Sequence, residues 1–180
     1  MSRQIRVIPY DPRWRSFYRA ESELISSLLG PFLLGVHHIG STAVWGLAAK
    51  PTIDLLGVVR SLIELDANNA SLIGLGYQPK GENGIHGRRY FQKLNGDEHL
   101  FHLHAFEQGH PEIARHLLFR DYLRSHPDEA QAYQKLKLQL AARFTDDPSQ
   151  YTSGKSALIA MLIQQAEAWQ NEKRALKAGT

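Results

Sequence analysis

The sequence contains no cysteine. Disulfides, thiolate metal centres and cysteine nucleophiles are thereby excluded, and a reducing cytoplasm is the expected location. No apolar run approaches the ~20 residues needed to cross a bilayer. The longest candidate, Leu24 to Val36, is broken by Ser26, Ser27, Gly30 and Pro31. The basic start Met1-Ser2-Arg3-Gln4-Ile5-Arg6 has no apolar segment behind it, so no secretory signal is expected. Blocks of roughly five to eight consecutive Lys and Arg are missing too, and Trp14, Trp45 and Trp169 form no stacking ladder. Neither a membrane partner nor general nucleic-acid binding is expected on these grounds.

What is present describes a globular chain. Its 180 residues fall within the roughly 100–200 of an ordinary domain, so a single domain over 1–180 is expected. Such a chain buries roughly 70% of its unfolded surface and needs no disulfide or metal staple. The 21 Lys and Arg exceed the 18 Asp and Glu by only three and are scattered. That is a weak preference for an anionic partner.

The spacing of apolar residues predicts an α+β fold. Ile5–Ile8 reads as a short strand ended by the turn Pro9-Tyr10-Asp11-Pro12. Trp14, Phe17, Tyr18, Leu24, Ile25, Leu28 and Leu29 recur at helical spacing and predict a helix from Pro12 to Leu29, stopped by Gly30-Pro31. Leu33–Ile39 reads as a strand, and Thr52–Val59 has the nearly continuous apolar character of a central one. Leu62–Leu75 predicts one covering helix. Arg88–Leu94 and His99–Phe106 predict an antiparallel hairpin around Asn95-Gly96-Asp97. Helices follow from Pro111 to about Arg124, Pro127 to Phe144, and Ser153 to about Ala175. The expected architecture is a small mixed β-sheet with backing helices, strand-rich over about 1–106 and helical over about 111–175.

Candidate chemistry concentrates in His38-Ile39-Gly40-Ser41-Thr42-Ala43-Val44 and Lys50-Pro51-Thr52-Ile53-Asp54-Leu55. Gly40 lets the backbone turn sharply or approach a ligand. Ser41 and Thr42 place hydroxyls beside backbone N–H groups, a combination suited to phosphate oxygens if a helix starts there. Asp54 is a carboxylate in an apolar strand, so it sits at a strand end, is paired, or binds a cation. The plainer alternative is an N-cap at Ser41 and a salt-bridged Asp54.

The run HHIGSTAVWGLAAKPTIDLL resembles the signature of the GrpB family, also called UPF0157, within the nucleotidyltransferase-fold superfamily. The resemblance covers nearly the whole chain. It includes Pro9–Trp14, Arg89–Phe91, His102–His104, His116–Arg124, Tyr133 with Lys137, and Tyr151 with Lys155. It implies a nucleotidyltransferase-like sheet in which a Gly-Ser turn holds nucleotide phosphates. It also implies strand carboxylates at i and i+2, joined by a third from a neighbouring strand, that bind divalent ions. Gly40, Ser41 and Asp54 match the turn and the first carboxylate, and are the expected catalytic positions. Leu56 stands where the second carboxylate belongs, and leucine cannot ligate a metal. Position 45, usually proline in the family, is tryptophan, which either packs over the loop or offers an exposed ring to a base.

On the third strand His102 and His104 share one face, opposite Phe101, Leu103 and Ala105. With Asp54 they form a candidate 2-His-1-carboxylate set, suited to zinc, manganese, iron or nickel better than to magnesium. The alternative is a pair of hydrogen-bonded histidines on the rim of a cleft. His38, Thr42, Lys50, Arg89, Arg120, Lys137 and Lys155 are the expected ligand and phosphate contacts, against the plainer reading of solvated or paired charges. Thr152-Ser153-Gly154-Lys155-Ser156 imitates the end of a P-loop, but Ser149 replaces the required glycine. A helix cap at Thr152 or Ser153 is the better reading.

Three functions follow. The leading expectation is metal-dependent nucleotidyl transfer, with Mg or Mn, or Zn or another transition metal through histidine. Its partner would be a nucleotide or phosphorylated small molecule. The others are a catalytically silent ligand-binding module and a metal-dependent hydrolase using the His/Asp set.

Overall fold

A computed structural model describes residues 4–178. Helix α1 (Arg13–Leu29) turns its apolar stripe inward through Trp14, Ile25 and Leu29. Gly30, at φ +59°, ends it. Strands β1 (Leu33–Ile39) and β2 (Ile53–Val59) follow, then helices α2 (Leu62–Ala67) and α3 (Asn69–Gly74). Strands β3 (Tyr77–Pro79), β4 (Arg88–Asn95) and β5 (Glu98–Glu107) complete the sheet. The helical part comprises α4 (Pro111–Ser125), α5 (Pro127–Arg143), α6 (Pro148–Ser153) and α7 (Ser156–Ala178).

The strand order is β1-β2-β5-β4-β3. Only β2 and β5 run parallel; the other neighbours are antiparallel. The mixed sheet backed by helices is therefore as expected.

Alternation along the strands divides the sheet into two faces. Ile53, Leu55, Phe91, Leu103 and Ala105 pack with Trp14, Ile25, Leu65 and Leu72 in the main core beneath α1–α3. The opposite face carries Asp54, His102 and His104, with Leu56 sealed into a smaller cluster of Ile39, Phe106, Ile113 and Leu117. A third cluster joins the 44–47 segment to α4, α5 and α7 through Leu47, Tyr122, Tyr133 and Leu162.

Several expected elements differ. Ile5–Ile8 is not a strand: Ile8 makes one isolated bridge to Ala49, and the Ile5 amide donates to the Thr145 carbonyl at 2.7 Å. The helix expected over Leu62–Leu75 divides at Asn68, whose side chain donates to the Glu64 carbonyl at 2.8 Å. Asparagine offers the backbone such alternatives to a continuous helix. The edge strand β3 escapes sequence reading because it is three residues long and contains Pro79, tolerated at an edge.

The hairpin turn is only Gly96-Asp97, with Gly96 at φ +57° supplying the positive angle such turns favour. Thr152 and Ser153 do not cap the last helix. They end α6, which is capped instead by Asp147 accepting from the Ser149 and Gln150 amides.

Candidate functional site

The parallel register places Asp54 beside His102 and Leu56 beside His104. His102 Nδ1 lies 3.2 Å from Asp54 Oδ1, and His104 Nε2 lies 3.7 Å from the same oxygen. Burial alone would raise the Asp54 pKa, but the two imidazoles outweigh it and hold the carboxyl well below its usual range. Its side chain keeps 27% exposure, enough to meet a ligand. The backbone at Gly40 presses against this carboxylate. Gly40 adopts φ +70°, and a Cβ there would collide with Asp54 Oδ2. Glycine is required for both reasons.

A second layer fixes the imidazoles. His99 Nδ1 lies 2.7 Å from His102 Nε2. The Asp54 carboxylate only accepts, so His102 donates to it from Nδ1, which leaves Nε2 to accept from His99 Nδ1. His104 is held differently. Arg88, a donor only, reaches His104 Nδ1 at 3.3 Å, so the neutral ring carries its proton on Nε2, towards Asp54.

One carboxylate oxygen and two imidazole nitrogens lie within 4.8 Å of one another. In donor type and number they fit a divalent ion that accepts mixed N/O ligation. Both rings point an N–H at Asp54, so a metal there would use each in its other tautomer, which for His104 requires release of the Arg88 hydrogen bond. Leu56 is fully buried, and the slot of a second strand carboxylate is taken across the register by His104.

In front of Asp54 lies a cavity of about 180 Å3. Gly40, Ser41, Thr42, Lys50, Asp54, His102, Lys137 and Lys155 all line it. The turn there is a single three-residue 3-10 turn, Ser41–Ala43, rather than a helix. The positive charge at the cavity therefore comes from its lysines. Lys137 is 2% exposed, stands 4.8 Å from the Tyr133 ring centroid, and donates to the Ala48 carbonyl. Lys155 and Lys50 flank the Tyr151 ring at 4.4 and 5.2 Å. Burial, with repulsion from Lys155, lowers the Lys137 pKa to about 7. Burial and repulsion from Lys50 lower Lys155 to about 8, despite attraction from Asp54. Burial pushes the Tyr133 phenol up to about 12, against a hydrogen bond with Ser41.

Other expected contacts lie elsewhere. Arg89 forms a two-pronged ion pair with Asp66 of α2, both bonds at 2.7 Å. Strand alternation puts it on the core face, and its neighbour Arg88 is the arginine that reaches the histidines. Arg120 pairs with Asp121 and donates to the His38 carbonyl at 3.1 Å. His38 is buried, bonded to Thr42 Oγ1 at 2.9 Å and stacked on Tyr18. Burial lowers its pKa to about 4, so it supports Thr42 as a neutral ring. Trp45 is 85% exposed, choosing the exposed alternative.

Sequence reasoning assigned no role to Arg88 or His99, and named Tyr133 and Tyr151 only beside Lys137 and Lys155. Arg88 was accessible from the two-residue alternation that singled out His102 and His104; His99 was not, since its contact depends on the register shift between Lys93 and Leu94.

Residues 4–165 match the GrpB protein family model. The chain is 46% identical over 167 residues to UPF0157 protein YqkA of Bacillus subtilis (strain 168), covering 93% of this chain but 48% of that protein. The chain thus spans about half the length of this relative. The crystal structure of GrpB from Enterococcus faecalis superposes with TM-score 0.86 at 36% identity, covering 91% of this chain and 99% of that one. The Cid1 poly(U) polymerase with Mg 3′-dATP bound matches at TM-score 0.55 and 16% identity, over 82% of this chain and 49% of that one. At that identity the likeness concerns the fold, which is nucleotidyltransferase-like. On the family match and these identities, the chain belongs to the GrpB (UPF0157) family.

Proposed function

We propose that the Asp54 cavity binds the polyphosphate of a nucleotide, or of another phosphorylated small molecule, and supports metal-assisted nucleotidyl transfer. One observation carries this reading: Lys50, Lys137 and Lys155 converge on a single cavity with Asp54 and the Gly40–Ser41 turn. Burial and mutual repulsion lower the Lys137 and Lys155 pKa values in so small a space, and negative charge placed among them favours their charged forms. Phosphate oxygens supply that charge. Asp54, His102 and His104 would hold a divalent ion, which supplies neutralisation of charge on the transferring phosphoryl group. The lysines bind the ligand's phosphates, and Ser41 and Thr42 offer hydroxyl donors at the turn. Tyr133 and Tyr151 wall the lysines from water, which strengthens their pull on an anion.

A second reading, a ligand-binding module without catalysis, is favoured by one residue, Leu56. Strand carboxylates that bind two ions need position 56, and here it is sealed in apolar packing.

A thermal-shift screen of nucleoside triphosphates and phosphorylated metabolites, with and without Mg, Mn or Zn, tests the proposal. A ligand at about 100 times its Kd adds ~2.7 kcal/mol of stability. Transfer predicts a metal-dependent shift with a triphosphate and release of pyrophosphate. A shift without pyrophosphate release under any metal supports the silent module, and no shift with any phosphorylated compound overturns both.

A further inference from the structure

A second concavity, of about 1430 Å3, opens between α1, the 42–47 segment, α4 and α5. It adjoins the Asp54 cavity at Thr42, which lines both. Its walls carry five cations, Arg15, Arg19, Arg120, Arg124 and Lys135, against one carboxylate, Asp128. The whole chain has a net charge of only +3, and even with Arg120 and Arg124 both paired to Asp121 this groove keeps an excess of positive charge. The five come from three helices, which is why no basic run in the sequence announces them.

Arg120 and Arg124 are held rigidly. Arg120 pairs with Asp121, and Arg124 donates twice to the Ala43 carbonyl, at 2.9 and 2.7 Å. Arg15 and Arg19, one turn apart on α1, are exposed, as is Lys135. None of these three belongs to an ion pair among the described residues. Arg15 also lies near enough to Arg124 for like-charge repulsion to add to burial in lowering the Arg124 pKa. Guanidinium groups facing each other across a groove gain from an anion between them.

Trp45 is an independent feature. It is the most exposed large apolar side chain among the described residues, at 85%. Its ring centroid lies 6.1 Å from that of Tyr10 on the groove wall. An exposed indole beside a cationic track is the arrangement that stacks bases while the backbone phosphates are neutralised.

We propose that this groove binds a single-stranded oligonucleotide, with phosphates along Arg15, Arg19, Arg124 and Lys135 and a base stacked on Trp45. The groove exceeds the roughly 300–1,000 Å3 of a small-molecule site, which favours several nucleotides over one. An acidic peptide would satisfy the charge and leave the indole face unused. That the strand is the acceptor of a transfer reaction rests on the function proposed above; the binding does not.

Fluorescence anisotropy with labelled single-stranded RNA and DNA of about 12 nucleotides tests it. Saturable binding is expected, with log affinity falling against log salt by ~0.7 for each phosphate contact. Arg15→Ala with Arg19→Ala should weaken binding at least about tenfold and flatten that slope by ~1.4. Trp45→Ala should weaken it further while Trp45→Phe retains it. A preference for RNA or DNA would identify the natural strand. Absence of saturable binding, a slope unmoved by the arginine pair, or equal competition by polyglutamate of the same charge overturns the proposal. Triphosphate-induced thermal shifts, measured in the same variants, should not change. Loss of those shifts in the unaltered protein, with oligonucleotide binding intact, would break the transfer reading alone.

Discussion

Asp54 and Leu55 are neighbours on β2 and belong to different molecules in effect. Leu55 is fully buried under α1–α3 among Trp14, Leu103 and Phe91. Asp54 faces the other way, onto two imidazoles and a cavity lined by lysines. The same division runs across β5, with Leu103 and Ala105 inside and His102 and His104 outside, and across β4, where Arg89 and Arg88 part company. A two-residue period lets adjacent positions serve stability and chemistry separately. One face can therefore be altered with little effect on the other.

The largest expected effects test that separation directly. Leu55→Ala should cost about 2–5 kcal/mol through lost burial and a residual cavity. At roughly 2–4 °C per kcal/mol for a chain this long, calorimetry would show a markedly lower Tm, while the folded fraction still binds ligand. Asp54→Asn should do the reverse. Its cost stays within the ~1.5–3 kcal/mol of a hydrogen bond to a charged group, but metal-dependent ligand shifts disappear. Were Leu55→Ala to abolish ligand binding in folded protein, the faces would not be independent.

Lys137 sharpens the comparison within the cavity. Its folded pKa is about 7, below the ordinary value near 10.4, so its charge opposes folding in full below pH 7 and by a shrinking amount up to about 10.4. Lys137→Met keeps the volume and removes that penalty. Denaturation should show unchanged or greater stability, and titration calorimetry a triphosphate affinity lower by about tenfold, or ~1.4 kcal/mol.

A pH series gives a smaller effect of defined sign. As pH rises from 6 to 9 through about 7 for Lys137 and about 8 for Lys155, both ammonium groups lose charge. Sulfate, whose own charge is constant over that range, should bind progressively more weakly. His38, held at about 4, contributes nothing to the change.

The smallest expected effect belongs to Arg89→Ala. Its pair with Asp66 is partly exposed, at 27% and 38%, and such pairs contribute up to ~1 kcal/mol. Stability should fall within that range and ligand shifts should stay the same.

Strands β1, β2, β4 and β5 were legible because their apolar runs are long and glycine marks turns beside them, whereas three-residue β3 was not. The His102/His104 face was legible for the same reason. What escaped depended on three-dimensional register. Arg89 stood in a motif beside tyrosine and phenylalanine, yet the hairpin register turns Arg88 towards His104 instead. His38 looked like a ligand contact, but the proximity of Tyr18, 20 positions earlier, makes it a stacked, neutral support. The lysines were legible only as parts of blocks. Their meeting in one cavity brings together the segment before β2, helix α5 and the turn between α6 and α7, which local spacing does not encode. The basic groove was invisible for the same reason, since its arginines come from α1 and α4.

The proposed function stands on Asp54 anchoring a divalent ion for a phosphorylated ligand. Electron paramagnetic resonance of Mn2+ reads this directly, because the free-ion signal falls when the ion is bound. In the presence of a nucleoside triphosphate, the unaltered protein should deplete the free signal beyond what the triphosphate alone does, with one ion per chain. Asp54→Asn should remove that extra depletion. Equal depletion by both proteins would rule out Asp54 as the anchor of the ion.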